Sequence, residues 1–167
     1  MIESEKITFE TASYLKECCD RLCIPFIFKS SYDKANRTSG RSFRGPGLEK
    51  GLAILARIRE QLGVPVLTDV HSPEEVGPAS AVVDILQIPA FLVRQTDLVT
   101  TAALSGKPVN LKKAQFLSPA DMAQAVGKVR DAGNNRLLLT ERGTQFGYNN
   151  LVVDMRSIAI MSDFGFP

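Results

Sequence analysis

A chain of 167 residues with 44% apolar and 23% charged residues is long enough and apolar enough to bury the core of one globular domain. Its 20 basic and 18 acidic residues leave a formal charge of +2, too balanced for a nucleic-acid or membrane-surface binder, so any electropositive feature has to be local. No run reaches the roughly 18 apolar residues of a membrane span, and Met1-Ile2-Glu3-Ser4-Glu5-Lys6 lacks the basic-then-apolar order of a secretory leader, so the expected location is the cytoplasm.

Short apolar runs alternate with longer stretches of helical period, the pattern of βα units around a parallel sheet. Met1–Ser4 reads as the end of a strand, and Lys6–Leu22 as a helix. Cys18, Cys19 and Cys23 fall in and just after that helix at offsets of one and five, a spacing that suits no metal site, and are read as reduced packing residues. Strands are expected at Ile24–Lys29, Val64–Asp69, Ile85–Pro89, Pro108–Lys112 and Arg136–Glu141, and helices at Leu48–Leu62, Pro73–Val82, Gln95–Leu104 and Ala120–Ala132. Ser72-Pro73-Glu74-Glu75 and Ser118-Pro119-Ala120-Asp121 each supply a hydroxyl cap, a first-turn proline and an acid, while Gly63, Gly106 and Gly133 mark helix ends. These elements predict an α/β fold in a single domain over residues 1–167 with about six strand positions. A closed β/α barrel takes eight units and about 250 residues, so the sheet is either open or part of a longer barrel.

Each predicted strand ends in a polar group: Lys29, Asp69, Gln87, Lys112, and Glu141 followed by Arg142. Barrels and open α/β sheets build their sites on that rim. After Lys29 the chain runs to Gly47 without a helical pattern, and a loop of that length inside a compact domain is usually functional or disordered. From Phe28 to Gly47 there are five cations, six hydroxyl groups and three glycines against a single acid, a composition suited to charge-assisted bonds with a phosphorylated ligand. Arg94, Lys112, Lys113 and Arg142 add rim cations from other connections, enough for two phosphates or a phosphate and a carboxylate. Asp69 among them is expected to be ionised and to position a hydroxyl or take a proton. His71, the only histidine, lies beside the Ser72 cap and is read as structural. No Walker loop, dinucleotide fingerprint or Gly-x-Ser-x-Gly elbow is present, which excludes the chemistries those motifs support.

Five blocks resemble the 3-deoxy-manno-octulosonate 8-phosphate synthase family. They are Lys29-Ser30-Ser31 with Asp33-Lys34-Ala35-Asn36-Arg37-Thr38-Ser39 and Ser42-Phe43-Arg44-Gly45-Pro46-Gly47; Thr68-Asp69-Val70-His71; Gln87-Ile88-Pro89-Ala90-Phe91-Leu92 with Arg94-Gln95-Thr96-Asp97; Asn110-Leu111-Lys112-Lys113 with Gln115-Phe116; and Glu141-Arg142-Gly143 through Phe146-Gly147-Tyr148-Asn149-Asn150-Leu151-Val152-Val153-Asp154. The resemblance implies a TIM-type (β/α)8 barrel, of which about the first six units are expected here. It also implies a homotetramer of small-molecule chemistry, in which phosphoenolpyruvate condenses with D-arabinose 5-phosphate and inorganic phosphate leaves, in lipopolysaccharide precursor synthesis.

Carried over by position, Lys29, Gln87, Lys112 and Arg142 would grip phosphoenolpyruvate, with Ala90 and Phe91 shaping its pocket. Asn36, Arg37 and Thr38 would meet the sugar phosphate, Arg94 that of a neighbouring subunit. Lys34 would stabilise the developing oxyanion, with Asn36 and Asp69 beside it as catalytic groups. Thr38 stands where the family usually has serine, and keeps the hydroxyl. Some members of the family bind a divalent metal through cysteine, histidine, glutamate and aspartate, others replace the cysteine with asparagine. The resemblance puts the first of those positions before Met1 and the others past Pro167, so no metal ligand is expected within the chain. The related synthase acting on erythrose 4-phosphate, and a non-catalytic fragment that only binds phosphorylated ligands, are the alternative readings.

Overall fold

Where a helix stops on a residue free to turn left-handed, the next strand can begin at once, and Gly63 does this at φ +62°, its N–H closing on the Arg59 carbonyl at 3.1 Å. Gly106 and Gly133 close the later helices in the same region of backbone space, as their places in the sequence predict. A computed structural model describes residues 1–167 in two compact units, residues 1–69 with 78–85 and residues 70–77 with 86–167.

The first unit carries α1 (Glu5–Arg21), β1 (Phe28–Lys29), α2 (Leu48–Leu62) and β2 (Val66–Asp69). Ser4 caps α1 through its side chain, accepting from the Ile7 N–H. In α2 the residues Leu52, Leu55 and Ile58 form one apolar stripe facing inward. Leu55 and Ile58 lose all exposure, worth about 2 kcal/mol each. β1 and β2 run parallel, Phe28 opposite Val66 and Lys29 opposite Leu67, and every residue of β2 is buried.

The chain passes between the units after Asp69, within α3 (Pro73–Val82) and at the start of β3 (Ile85–Ile88). The second unit holds the rest of β3, a 3-10 turn at Ala90–Leu92, α4 (Thr96–Leu104), β4 (Val109–Lys112), α5 (Met122–Asp131) and β5 (Leu137–Thr140). β3, β4 and β5 pair in parallel, with Gln87 opposite Asn110 and Lys112 opposite Thr140. Two short antiparallel strands, β6 (Thr144–Gln145) and β7 (Leu151–Val152), and the helix α6 (Arg156–Ser162) complete it.

Helix alternating with parallel strand is the α/β architecture that the apolar runs predict. Three local expectations are corrected. Met1–Ser4 forms no strand, since its one backbone bond to a neighbouring segment runs from Ile2 to the Ser31 carbonyl at 2.9 Å, too few for a ladder. Of Ile24–Lys29 only Phe28 and Lys29 pair, because Pro25 has no N–H to give and Cys23 before it turns at φ +55°. α5 starts at Met122 instead of Ala120. Ser118 and Asp121 exchange side-chain to backbone bonds, as the cap motif predicts, but they close a tight turn ahead of the helix.

Candidate active site

In a parallel pair, residues opposite one another point the same way, and those two apart along a strand share a face. Lys29, Ser31 and Asp69 therefore converge at the carboxyl ends of β1 and β2. The Asp69 carboxylate is buried, 3.1 Å from the Lys29 ammonium and 3.9 Å from that of Lys34. The fully buried Ser31 hydroxyl donates to it, and the Lys29 ammonium donates to the same hydroxyl at 2.7 Å. Burial holds the Lys34 pKa below the usual lysine value; the Asp69 charge opposes that shift, while Lys29 and Arg37 add to it. One anion flanked by two ammonium groups leaves a net positive, half-shielded corner suited to an oxyanion or phosphate.

The loop that follows is stapled at its neck. Arg44 grips Asp33 with a two-pronged guanidinium-carboxylate pair, the Lys34 N–H donates to the Arg44 carbonyl at 2.8 Å, and the Gly47 N–H to that of Tyr32 at 3.2 Å. Gly45, at φ +126°, lets the returning chain pass so close that a Cβ there would lie 2.2 Å from the Tyr32 oxygen. Beyond the neck, Asn36, Arg37 and Thr38 stand exposed at the tip.

The second unit gathers the other strand-end groups. Gln87, Asn110 and Thr140 share one face and form a chain across three strands. Thr140 Oγ1 donates to Asn110 Oδ1 at 2.8 Å, and Asn110 Nδ2 to Gln87 Oε1 at 3.1 Å. That bond occupies the Gln87 carbonyl, so the amide nitrogen is the end of the side chain left to donate. Lys112, half-buried at the end of β4, lies on the same strand face as that chain, and Arg142 follows half-buried just past the end of β5. Ala90 and Phe91 occupy the 3-10 turn after β3, with Phe91 exposed. Arg94 is exposed before α4, its carbonyl accepting from the Lys128 ammonium at 2.8 Å.

One rim cation is reassigned. Lys113 is completely buried and its ammonium lies among protein oxygens, so it does not face a ligand. Alternation decides this: Lys112 and Lys113 are neighbours and must point to opposite faces. Ser31, Asn110 and Thr140 are site residues that sequence reasoning did not single out by role. For Ser31, just past β1, and Thr140, at the end of β5, position was the available signal; Asn110, inside β4, had only its alternation with Lys112. His71 is tied to Glu75, which accepts from its backbone N–H at 2.7 Å and meets its Nδ1 at 3.2 Å. No group of three or more His, Cys, Asp or Glu side chains comes together to hold a metal.

Parallel strands alternating with helices, and cations, an acid and amides collected at the strands' carboxyl ends in each unit, are the features of β/α-barrel proteins that bind small anionic molecules. The family model described as DAHP synthetase I family matches residues 1–167, and the chain belongs to that family. It is 64% identical over 167 residues to the 2-dehydro-3-deoxyphosphooctonate aldolase of Syntrophobacter fumaroxidans, an alignment covering 100% of this chain and 58% of that protein. It is 61% identical to the protein of the same name from Desulfatibacillum aliphaticivorans and 60% to that from Trichlorobacter lovleyi, in each case over 100% of this chain and 61% of the relative. The chain thus spans about three fifths of the length of the curated relatives it matches. The family resemblance carried by the five sequence blocks agrees with these relatives.

Proposed function

We propose that this chain supplies the substrate-binding strand ends of an enzyme that condenses phosphoenolpyruvate with D-arabinose 5-phosphate, giving 3-deoxy-D-manno-octulosonate 8-phosphate and inorganic phosphate. The observation that carries the reading is the Lys29–Asp69–Lys34 cluster at two adjacent strand ends, in a chain 64% identical to a 2-dehydro-3-deoxyphosphooctonate aldolase.

The chemistry asks for two anionic substrates held face to face. Lys29, Gln87, Lys112 and Arg142 bind the phosphate and carboxylate of phosphoenolpyruvate, with Ala90 and Phe91 walling its methylene side. Asn36, Arg37 and Thr38 at the loop tip take the sugar phosphate, with Arg94 serving a neighbouring subunit of a homotetramer. C3 of phosphoenolpyruvate attacks the aldehyde carbon, and the Lys34 ammonium meets the oxygen that becomes anionic, with Asn36 beside it. Asp69 orients the sugar hydroxyls or the water that adds at C2. The resulting hemiketal phosphate breaks its C2–O bond, which releases inorganic phosphate and leaves the 2-keto group. The product belongs to lipopolysaccharide precursor synthesis, carried out in the cytoplasm. Any divalent metal would need ligands besides those gathered here, and every step above uses this chain's own side chains.

The test is phosphate release from phosphoenolpyruvate. It is expected only with arabinose 5-phosphate present, and is expected to vanish in Lys112→Ala and Arg142→Ala. Near-normal rates in both variants would sink the role assignment. Preference for erythrose 4-phosphate would move the protein to the related synthase, and phosphoenolpyruvate binding without phosphate release would mark a binding fragment.

A further inference from the structure

Lys112 and Lys113 are adjacent in sequence and part company in the structure. The ladder between β4 and β5 continues through the Lys113 N–H, which donates to the Thr140 carbonyl at 2.9 Å. Lys112 therefore stays on the face of Asn110 and Thr140, while Lys113 turns to the other side, where its side chain is 0% exposed. A buried ammonium has to be fully engaged. Four oxygens stand 3.2 Å from Lys113 Nζ: the carbonyls of Ala114, Leu117 and Gly143 and the Thr144 hydroxyl. Three N–H groups shared among four acceptors leave no donor for a ligand.

Those acceptors come from two connections. Ala114 and Leu117 follow β4, and Gly143 and Thr144 follow β5, so the ammonium binds the exit carrying Lys112 to the exit carrying Arg142. Glu141 completes the arrangement. Its Oε1 lies 3.7 Å from Lys113 Nζ, accepts from the Arg142 N–H at 2.9 Å, and also accepts from the Gly143 N–H. The carboxylate thus clasps the backbone of Arg142 itself, with a side chain only 10% exposed.

We infer that Lys113 and Glu141 form a buried post that fixes Arg142 against Lys112, and that they are positioning residues for an anionic ligand carrying phosphate or carboxylate. The inference rests on the proposed role of Arg142 as a phosphoenolpyruvate ligand. Bidentate recognition by a guanidinium depends on its base being held within a fraction of an ångström. Neither residue of the post touches the ligand; both act through Arg142.

The test is a double-mutant cycle read by phosphoenolpyruvate titration, with arabinose 5-phosphate titration as the control. Glu141→Ala is expected to weaken phosphoenolpyruvate binding about tenfold and to leave arabinose 5-phosphate binding unchanged. In an Arg142→Ala background the same change is expected to cost almost nothing more, because the residue it positions is gone. Unchanged affinity in Glu141→Ala, or equal losses in both backgrounds, overturns the inference. Should Glu141→Ala lose its cooperative melt, Glu141→Gln takes its place, with a loss of about threefold expected and the same non-additivity required. If the unmodified chain does not bind phosphoenolpyruvate at all, the proposed function fails on its own account. Amide exchange at Arg142 and Gly143 then decides the post: protection lost in Glu141→Gln supports it, and unchanged protection overturns it.

Discussion

The buried Ser31 hydroxyl gives its proton to the Asp69 carboxylate, a residue 38 positions further along the chain, and accepts in turn from the Lys29 ammonium at 2.7 Å. Replacing it with alanine leaves a buried carboxylate short of one donor, which costs about 1–3 kcal/mol. Ser31→Ala is accordingly expected to lower the denaturant midpoint with its slope unchanged. An unshifted midpoint would mean that the other partners of Asp69, the two lysines among them, hold it without the hydroxyl.

Lys34 has its pKa lowered first by burial, with Lys29 and Arg37 assisting and Asp69 opposing. Its folded-state value lies below the ordinary 10.5, so between the two the unfolded chain binds more protons and stability rises with pH. At lower pH both states are protonated and the cost of burying the charge is fully present. If the ammonium is the group that meets the developing oxyanion, turnover falls on the alkaline side as the proton leaves, at a pH below 10.5. Lys34→Arg, which keeps its charge, is expected to move that limb upward even if the maximal rate drops. A limb that stays in place would assign it to another group.

At Gly45 an added Cβ meets the Tyr32 carbonyl in a left-handed backbone, whereas at Gly40 it meets nothing within 4 Å. Gly45→Ala is expected to destabilise by at least about 2 kcal/mol and to loosen the loop neck, while Gly40→Ala stays within about 0.5 kcal/mol of the parent. Thermal melts of the two variants side by side make the comparison, and equal melting temperatures would contradict it.

The chain from Thr140 through Asn110 to Gln87 holds the Gln87 carbonyl on Asn110 and leaves its amide nitrogen as the donor end. Asn110→Leu removes the donor to the Gln87 carbonyl and lets the amide turn its oxygen toward an anion. If Gln87 binds phosphoenolpyruvate as proposed, that affinity is expected to fall about tenfold, the loss of roughly one hydrogen bond to a charged ligand. Thr140→Val is expected to act in the same direction and more weakly. Titration of both variants tests this, and wild-type affinity in Asn110→Leu would show that Gln87 is held some other way.

Much of the candidate site was legible because strands in this architecture end on their functional groups. Lys29, Asp69, Gln87 and Lys112 all fall at or next to a strand's carboxyl end, as the apolar runs before them foretell. The helices were legible for the same kind of reason: Gly63, Gly106 and Gly133 end them through local backbone chemistry that needs no distant partner. The hairpin of β6 and β7 and the helix α6 were not read, since segments of two and seven residues are too short to show a period.

The sequence by itself determined the α/β order, the helix ends and the residue types available to bind anions, because propensity, capping and alternation act within a few residues. Only the tertiary structure decided which of those groups are used and how. Lys112 and Lys113 are chemically alike and side by side, and whether each meets solvent or the interior depends on β5 pairing alongside β4 in one register. Ser31 and Asp69 become partners only once β1 lies beside β2, a long-range pairing set by packing between strands that no local pattern encodes.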